Sequence, residues 1–171
     1  MPILVSDTSV LIDLERGTLL EAVFGLPDTL VVPDLLYDRE LKRHGGARLQ
    51  ELGLRVEELS AEALAVAVGL LRANPILSAA DCFALTLAEA NRWMLLTGDG
   101  PLRALAHARK LECHGVLWLL DRMLDTEAAT AAALHLGLAA IAEHPRCRLP
   151  PREVSIRLQR FAAIHGDDQR R

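Results

Sequence analysis

The sequence predicts an α/β fold: a parallel sheet of four or five strands flanked by helices, with an added C-terminal helical segment. Three observations carry this. Short apolar runs alternate with longer stretches of helical periodicity as far as Gly115, and strands joined by crossover helices lie parallel. The chain has 171 residues, 51% of them hydrophobic and only 4% aromatic, a balance that favours packed helices over an all-β core. After Gly115 the alternation stops and the pattern is helical to the end.

The elements follow in order. Ile3 to Ser6 is a first strand, and "TSVLIDLER" at 8–16 a helix with apolar residues at helical spacing. A second helical stretch at 18–24 leads to a strand from Thr29 to Val32. Pro33 then sits just inside the start of a helix around 34–44, which "HGG" at 44–46 stops. A strand from Leu54 to Glu57 precedes helices over 60–73 and 78–91, separated by the turn pair Asn74-Pro75. Trp93 to Leu96 is the fourth strand, "GDGP" at 98–101 a turn, 101–109 a helix, and Glu112 to His114 a brief fifth strand. Beyond it lie "VLWLLDRMLD", an Ala- and Leu-rich helix from Glu127 to Glu143 with Thr126 as its N-cap and a stop at His144-Pro145, and a last helix starting at Pro150 or Pro151. Trp118, with Leu117, Leu119 and Leu120, reads as core or as a subunit contact.

Composition excludes several functions. No apolar run reaches the roughly 20 residues of a membrane span, and "MPILVSD" has neither the basic start nor the apolar core of a signal peptide. The expected location is the cytoplasm, without membrane partners. Cys82, Cys113 and Cys147 are far apart and lack CxxC spacing, so neither a disulfide framework nor a zinc ribbon is indicated. A formal net charge of -4 argues against gripping long nucleic acid by bulk electrostatics. Any nucleic-acid site is therefore local.

The informative residues are acidic. Asp7 follows the first strand and Asp99 the fourth, and in an open parallel sheet ligands bind beyond the carboxyl ends of the strands. Asp81 lies in the first turn of the helix that feeds the fourth strand, so it belongs to the same edge. Glu40, on the helix after the second strand, adds a fourth acid; Asp38 is the competing position two residues earlier, and two such neighbours on a helix cannot share one face. Taken singly, each acid has a structural explanation. Asp7 is placed to cap a helix, Ser78 with Asp81 fits a capping box, Asp99-Gly100 is ordinary turn chemistry, and Glu40 can pair with Arg43 or His44. Jointly they would repel one another unless a cation neutralised them or some stayed protonated. Hard divalent ions such as Mg²⁺ and Mn²⁺ take such oxygen ligands, with Mg²⁺ keeping several waters. Lys42, Arg43 and Arg103 are near enough in sequence to steer phosphates, or merely to keep their helices soluble. Asp13 and Glu15 read as helix surface.

In order and spacing, "VSDTSVLIDL", "VVPDLLYDREL", "LSAADCFALTLAEA" and "LLTGDGPLRALA" resemble the PIN-domain nucleases, and the chain looks like a VapC-type toxin of a type II toxin–antitoxin system. The resemblance covers residues 3 to 124, including "GVLWLLDRML". It implies a PIN-like α/β/α sandwich over 1–124, with 125–171 as a helical extension packed on the same domain or on a second subunit. It also implies metal-dependent endoribonuclease activity with Mg²⁺ or Mn²⁺, an RNA substrate, a cognate antitoxin and a homodimer. Its acidic positions carry over onto Asp7, Glu40, Asp81 and Asp99, and its small polar ones onto Ser9 and Thr97. The further acid often found shortly after the Asp99 position is replaced here by Gly100, Pro101, Leu102 and Arg103.

On this reading Asp7 and Asp99 ligate the ion directly, while Asp81 and Glu40 act through water or accept a proton. Exposed single-stranded or looped RNA suits a shallow edge better than a duplex. A phosphoryl-accepting receiver domain would need an Asp after the third strand and a Lys after the last, and a haloacid-dehalogenase-like phosphatase a second Asp at position 9, which is Ser. The remaining alternative is a catalytically silent PIN-like protein-interaction domain. In the tail, Arg146, Arg148, Arg152, Arg157 and Arg160 either extend an RNA surface, receive an acidic antitoxin segment, or decorate a helical hairpin.

Overall fold

The computed structural model describes residues 2–168 and 170. Five parallel strands form one sheet in the order β3-β2-β1-β4-β5: β1 (Ile3–Ser6), β2 (Thr29–Pro33), β3 (Arg55–Glu57), β4 (Met94–Leu96) and β5 (Cys113–His114). Position in the sheet explains each strand's sequence. β1 is central, with Leu4 opposite Leu30 of β2 and Val5 opposite Leu95 of β4. Covered on both faces, it reads as an unbroken apolar run rather than an alternating one. The edge strands β3 and β5 are short and more polar, as unpaired edges usually are.

Helices α1 (Thr8–Arg16), α4 (Ala61–Ala73), α5 (Ala79–Asn91) and α6 (Gly100–Ala108) lie where the periodicity places them, within one residue at either end. Three stretches before Gly115 differ from expectation, and the helix expected from Glu127 starts only at Ala131. The 18–24 segment is no α-helix but ends in a 3₁₀ turn (Ala22–Gly25), with Thr18 at a positive φ of 53°. The 34–44 helix is shorter and irregular: α2 (Asp34–Leu36) passes into a π-helical turn (Tyr37–Leu41) closed by Lys42 N–H donating to the Tyr37 carbonyl at 2.8 Å. The "HGG" stop is followed at once by a further helix, α3 (Gly46–Leu52). Gly45, at φ 86°, lets the chain turn through the left-handed region. At Gly46 a Cβ would come within 2.8 Å of the Tyr37 ring, so glycine there is a packing requirement as well as a stop.

The chain divides into two compact units. The first comprises the segment up to Val10 and Asp28–Gly115, and so contains the whole sheet. Its core includes Val5, Val31, Leu85, Ala88, Leu95 and Leu102, all buried. The second comprises Leu11–Pro27 and the residues from Val116 onward, with helices α7 (Val116–Asp125), α8 (Ala131–Glu143) and α9 (Pro151–Asp168). Within it α8 packs on α9, and Gly17 and Gly137 meet backbone to backbone: a Cβ on Gly137 would lie 2.8 Å from the Gly17 carbonyl oxygen. Asp13 is half-buried rather than a surface residue; burial raises its pKa, and Arg16 partners it at 3.1 Å. Arg157 and Arg160 are held by Asp121 and Asp125 of α7, so those two basic residues serve the packing of the tail. Arg146, Arg148 and Arg152 are exposed. No helix among the described residues is long and apolar enough to cross a membrane.

The N-cap of α8 is Thr130, whose hydroxyl accepts from Ala133 N–H; Thr126 instead donates its hydroxyl to the Arg122 carbonyl at 2.8 Å. Thermal melting is therefore expected to show Thr130→Ala costing about 1 kcal/mol. Thr126→Ala should cost less, because its bond goes to a carbonyl near the end of α7 and caps no helix start.

Candidate active site

The strand order sets the location. From β1 the chain builds outward through β2 and β3, then restarts on the other flank with β4 and β5. The reversal falls between β1 and β4, the point at which an open parallel sheet forms a crevice beyond its carboxyl ends. Asp7 leaves β1 there, and Thr97, Gly98 and Asp99 leave β4. Because α5 leads back to the start of β4, its own start, with Asp81, lies towards the same edge.

Asp7 is 2% exposed and caps α1. Its Oδ1 accepts from the Val10 N–H at 3.1 Å and the Ser9 hydroxyl at 2.7 Å, and its Oδ2 accepts from the Thr97 hydroxyl. The two hydroxyls also reach the opposite loop: Thr97 Oγ1 accepts from Asp99 N–H at 2.9 Å, and Ser9 Oγ from Gly98 N–H at 2.8 Å. Ser9 and Thr97 thus cross-brace the β1–α1 turn against the β4–α6 loop and fix the Asp7 side chain between them. Asp99 caps α6, its Oδ1 accepting from Leu102 N–H at 2.8 Å. Asp81 completes the capping box, its Oδ2 accepting from Ser78 N–H at 2.8 Å. All three acids therefore cap helices, and three helix N-termini favour carboxylate charge at this edge.

Glu40 enters through Thr8, whose hydroxyl donates to Glu40 Oε2. The π-helical turn adds a residue to this part of the helix, and such turns recur at functional sites. Asp38 is exposed and pairs with Lys42 at 3.0 Å, so Glu40 is the acid in contact with the β1–α1 turn. Thr8 went unrecognised in the sequence; its one signal there is a hydroxyl directly after Asp7.

Electrostatically the site is strained in one place. Burial pushes the Asp7 carboxyl up from 3.8 to about 6, against the hydrogen bonds from Thr97, Ser9 and Val10, which favour the charged form. The Asp81 charge adds a smaller push in the same direction, which puts Asp81 within electrostatic reach of Asp7. Since the folded chain holds the Asp7 proton more tightly than the unfolded one, the metal-free protein loses stability as pH rises from about 4 to about 6. The loss is on the order of 2–3 kcal/mol and is complete above that window. Melting temperatures of the parent and Asp7→Asn should diverge across it, and parallel curves would show that Asp7 carries no such cost.

The donors are carboxylate and hydroxyl oxygens, which suit a hard divalent cation and not zinc. Among the described residues, no three Asp, Glu, His or Cys side chains group closely enough to hold a metal ion. The arrangement therefore fits an ion that takes one or two carboxylates and retains most of its water, not one enclosed by a protein cage. A family model, DUF3368, a PIN domain, matches residues 3–162. No curated protein matches the chain.

Proposed function

The chain belongs to the PIN-domain family, and from that membership we propose that it is a Mg²⁺- or Mn²⁺-dependent endoribonuclease that hydrolyses RNA phosphodiester bonds at its acidic sheet edge. PIN domains are generally nucleases that use divalent metal ions. The observation that carries the reading is the fixing of buried Asp7 between Ser9 and Thr97 at the β1/β4 reversal, with Asp99 on the same brace. A fully buried carboxylate with a raised pKa has little structural justification beyond a cap that Ser or Asn would provide.

Asp7 and Asp99 would be the direct ligands, and Ser9 and Thr97 hold the Asp7 rotamer. When bound, the ion supplies an acidified water and offsets charge on the phosphate oxygens. Asp81 and Glu40 would reach the ion through water, and one of them would accept the proton released by the attacking water. Asp7 presents its charged form above about pH 6, so ion binding and cleavage weaken below that pH.

The finer role is that of the toxin of a VapC-type toxin–antitoxin pair, cytoplasmic, acting as a homodimer on single-stranded or looped RNA and restrained by a cognate antitoxin. What supports it is the order and spacing of the acidic motifs. The experiment is incubation of the purified chain with single-stranded RNA in Mn²⁺, in Mg²⁺ and in EDTA. Cleavage with metal and none in EDTA is expected. A folded chain that cleaves no RNA under any of these conditions would instead be a catalytically silent PIN-like interaction domain.

A further inference from the structure

The geometry points to Arg103 as the residue that binds a backbone phosphate of the RNA at the acidic edge, on a shelf left open by Gly115; this rests on the ribonuclease reading above. Arg103 stands four residues after Asp99 on α6, a spacing at which an acid and an arginine ordinarily pair. They do not pair here. Arg103 Nη2 donates to the backbone carbonyl of Thr97 at 2.5 Å, and Arg103 forms no ion pair among the described residues. Its guanidinium is half-buried beside an edge that holds several carboxylates, yet it is anchored to a neutral carbonyl.

That anchor belongs to the site. The residue whose carbonyl holds Arg103 is the one whose hydroxyl holds Asp7. Burial pushes the Cys113 thiol up to about 11, and the Arg103 and Asp7 charges add smaller effects of opposite sign, so both lie within electrostatic reach of it. The backbone makes room for the arginine: a Cβ on Gly115 would stand 2.8 Å from Arg103 Nη2 and 3.4 Å from the Thr97 carbonyl oxygen.

A partly buried cation without a counterion is costly, and a neutral donor would satisfy the Thr97 carbonyl as well. The complement the site lacks is an anion with several acceptors. A phosphodiester approaching Asp7, Asp81 and Asp99 is repelled by them, and the rest of the Arg103 fork offers planar N–H donors matched to its non-bridging oxygens. Anchoring by one N–H holds the fork in place before the RNA arrives.

The test compares steady-state cleavage of a single-stranded RNA in Mn²⁺ by the parent, Arg103→Gln, Gly115→Ala and Lys110→Gln across a salt series. Arg103→Gln and Gly115→Ala should each raise KM about tenfold with a smaller change in kcat. Both should also flatten the dependence of log(1/KM) on log salt by about 0.7, one phosphate contact on a single strand. Lys110, beyond the far end of α6, should change neither. Gly115→Ala decides if Arg103→Gln misfolds, because the added methyl displaces the flexible end of a side chain and no backbone. Parent-like KM and salt slope in Gly115→Ala would reduce Arg103 to a cap on the Thr97 carbonyl and leave the ribonuclease reading standing. A parent that cleaves no RNA would overturn both.

Discussion

Asp7→Asn is expected to reduce RNA cleavage by roughly a thousandfold or more while making the metal-free protein more stable than the parent. The two halves of this expectation have one cause. Asp7 is 2% exposed, and its charge is costly to bury. The amide keeps the shape and an acceptor oxygen for Ser9 and Val10, and its NH₂ can face Thr97 Oγ1, so the brace between the loops survives without the charge. What it removes is the attraction for a cation. A cation that binds the native state alone stabilises by RT ln(1 + [L]/Kd), so Mn²⁺ should raise the melting temperature of the parent and leave that of Asp7→Asn where it was. Asp13→Asn is the matched control: an acid of the same helix, held by Arg16, whose loss should leave cleavage unchanged. Equal activity in parent and Asp7→Asn preparations would mean that a contaminating nuclease had been assayed.

Phe161→Ala should be the most damaging single truncation in the second unit, costing about 3–5 kcal/mol. Phe161 is fully buried on α9, the helix that packs on α8. The same helix is tied to α7 by Arg157, 2.7 Å from Asp121, and by Arg160, 3.3 Å from Asp121 and from Asp125. A loss of this size is a large part of the stability of an ordinary domain. Ile156→Ala, at a position 49% exposed on the same helix, should stay within about 0.5 kcal/mol. Urea denaturation of the two variants separates them. Similar midpoints would show that α9 contributes little to the folded unit.

Much of the fold was legible because the sheet is buried. β1 and β4 are covered on both faces, so their apolar runs stand out, and Pro33 and Ser78 mark helix starts by chemistry that needs no tertiary context. The misread segments are those that tertiary contacts decide. The π-helical turn at Tyr37–Leu41 has the periodicity of a plain helix in sequence, and the glycine pair at 45–46 gave equal support to a stop and a restart. Thr126 and Thr130 are both acceptable caps, and the three residues between them have no periodicity to choose by.

Asp7 and Asp81 were legible one by one as helix caps and Asp99 as a turn residue, and in the structure all three are caps. What joins them was not. The links run through hydroxyls: Thr97 and Ser9 between the loops, and Thr8 to Glu40, contacts between residues up to 90 apart that no spacing rule encodes. Ser9 and Thr97 entered the reading only through the family resemblance, and Thr8 did not enter it.

Asp7 and Asp99 are proposed to share one divalent cation, although no three acidic, histidine or cysteine side chains among the described residues form a ready cluster. Mn²⁺ binding followed by electron paramagnetic resonance, with parent, Asp7→Asn and Asp99→Asn titrated at pH 7.5, measures it directly. Saturable binding to the parent and its loss in both variants are expected, with each variant still folded by circular dichroism. A parent that leaves all the Mn²⁺ in solution, or variants that bind it as the parent does, would contradict it.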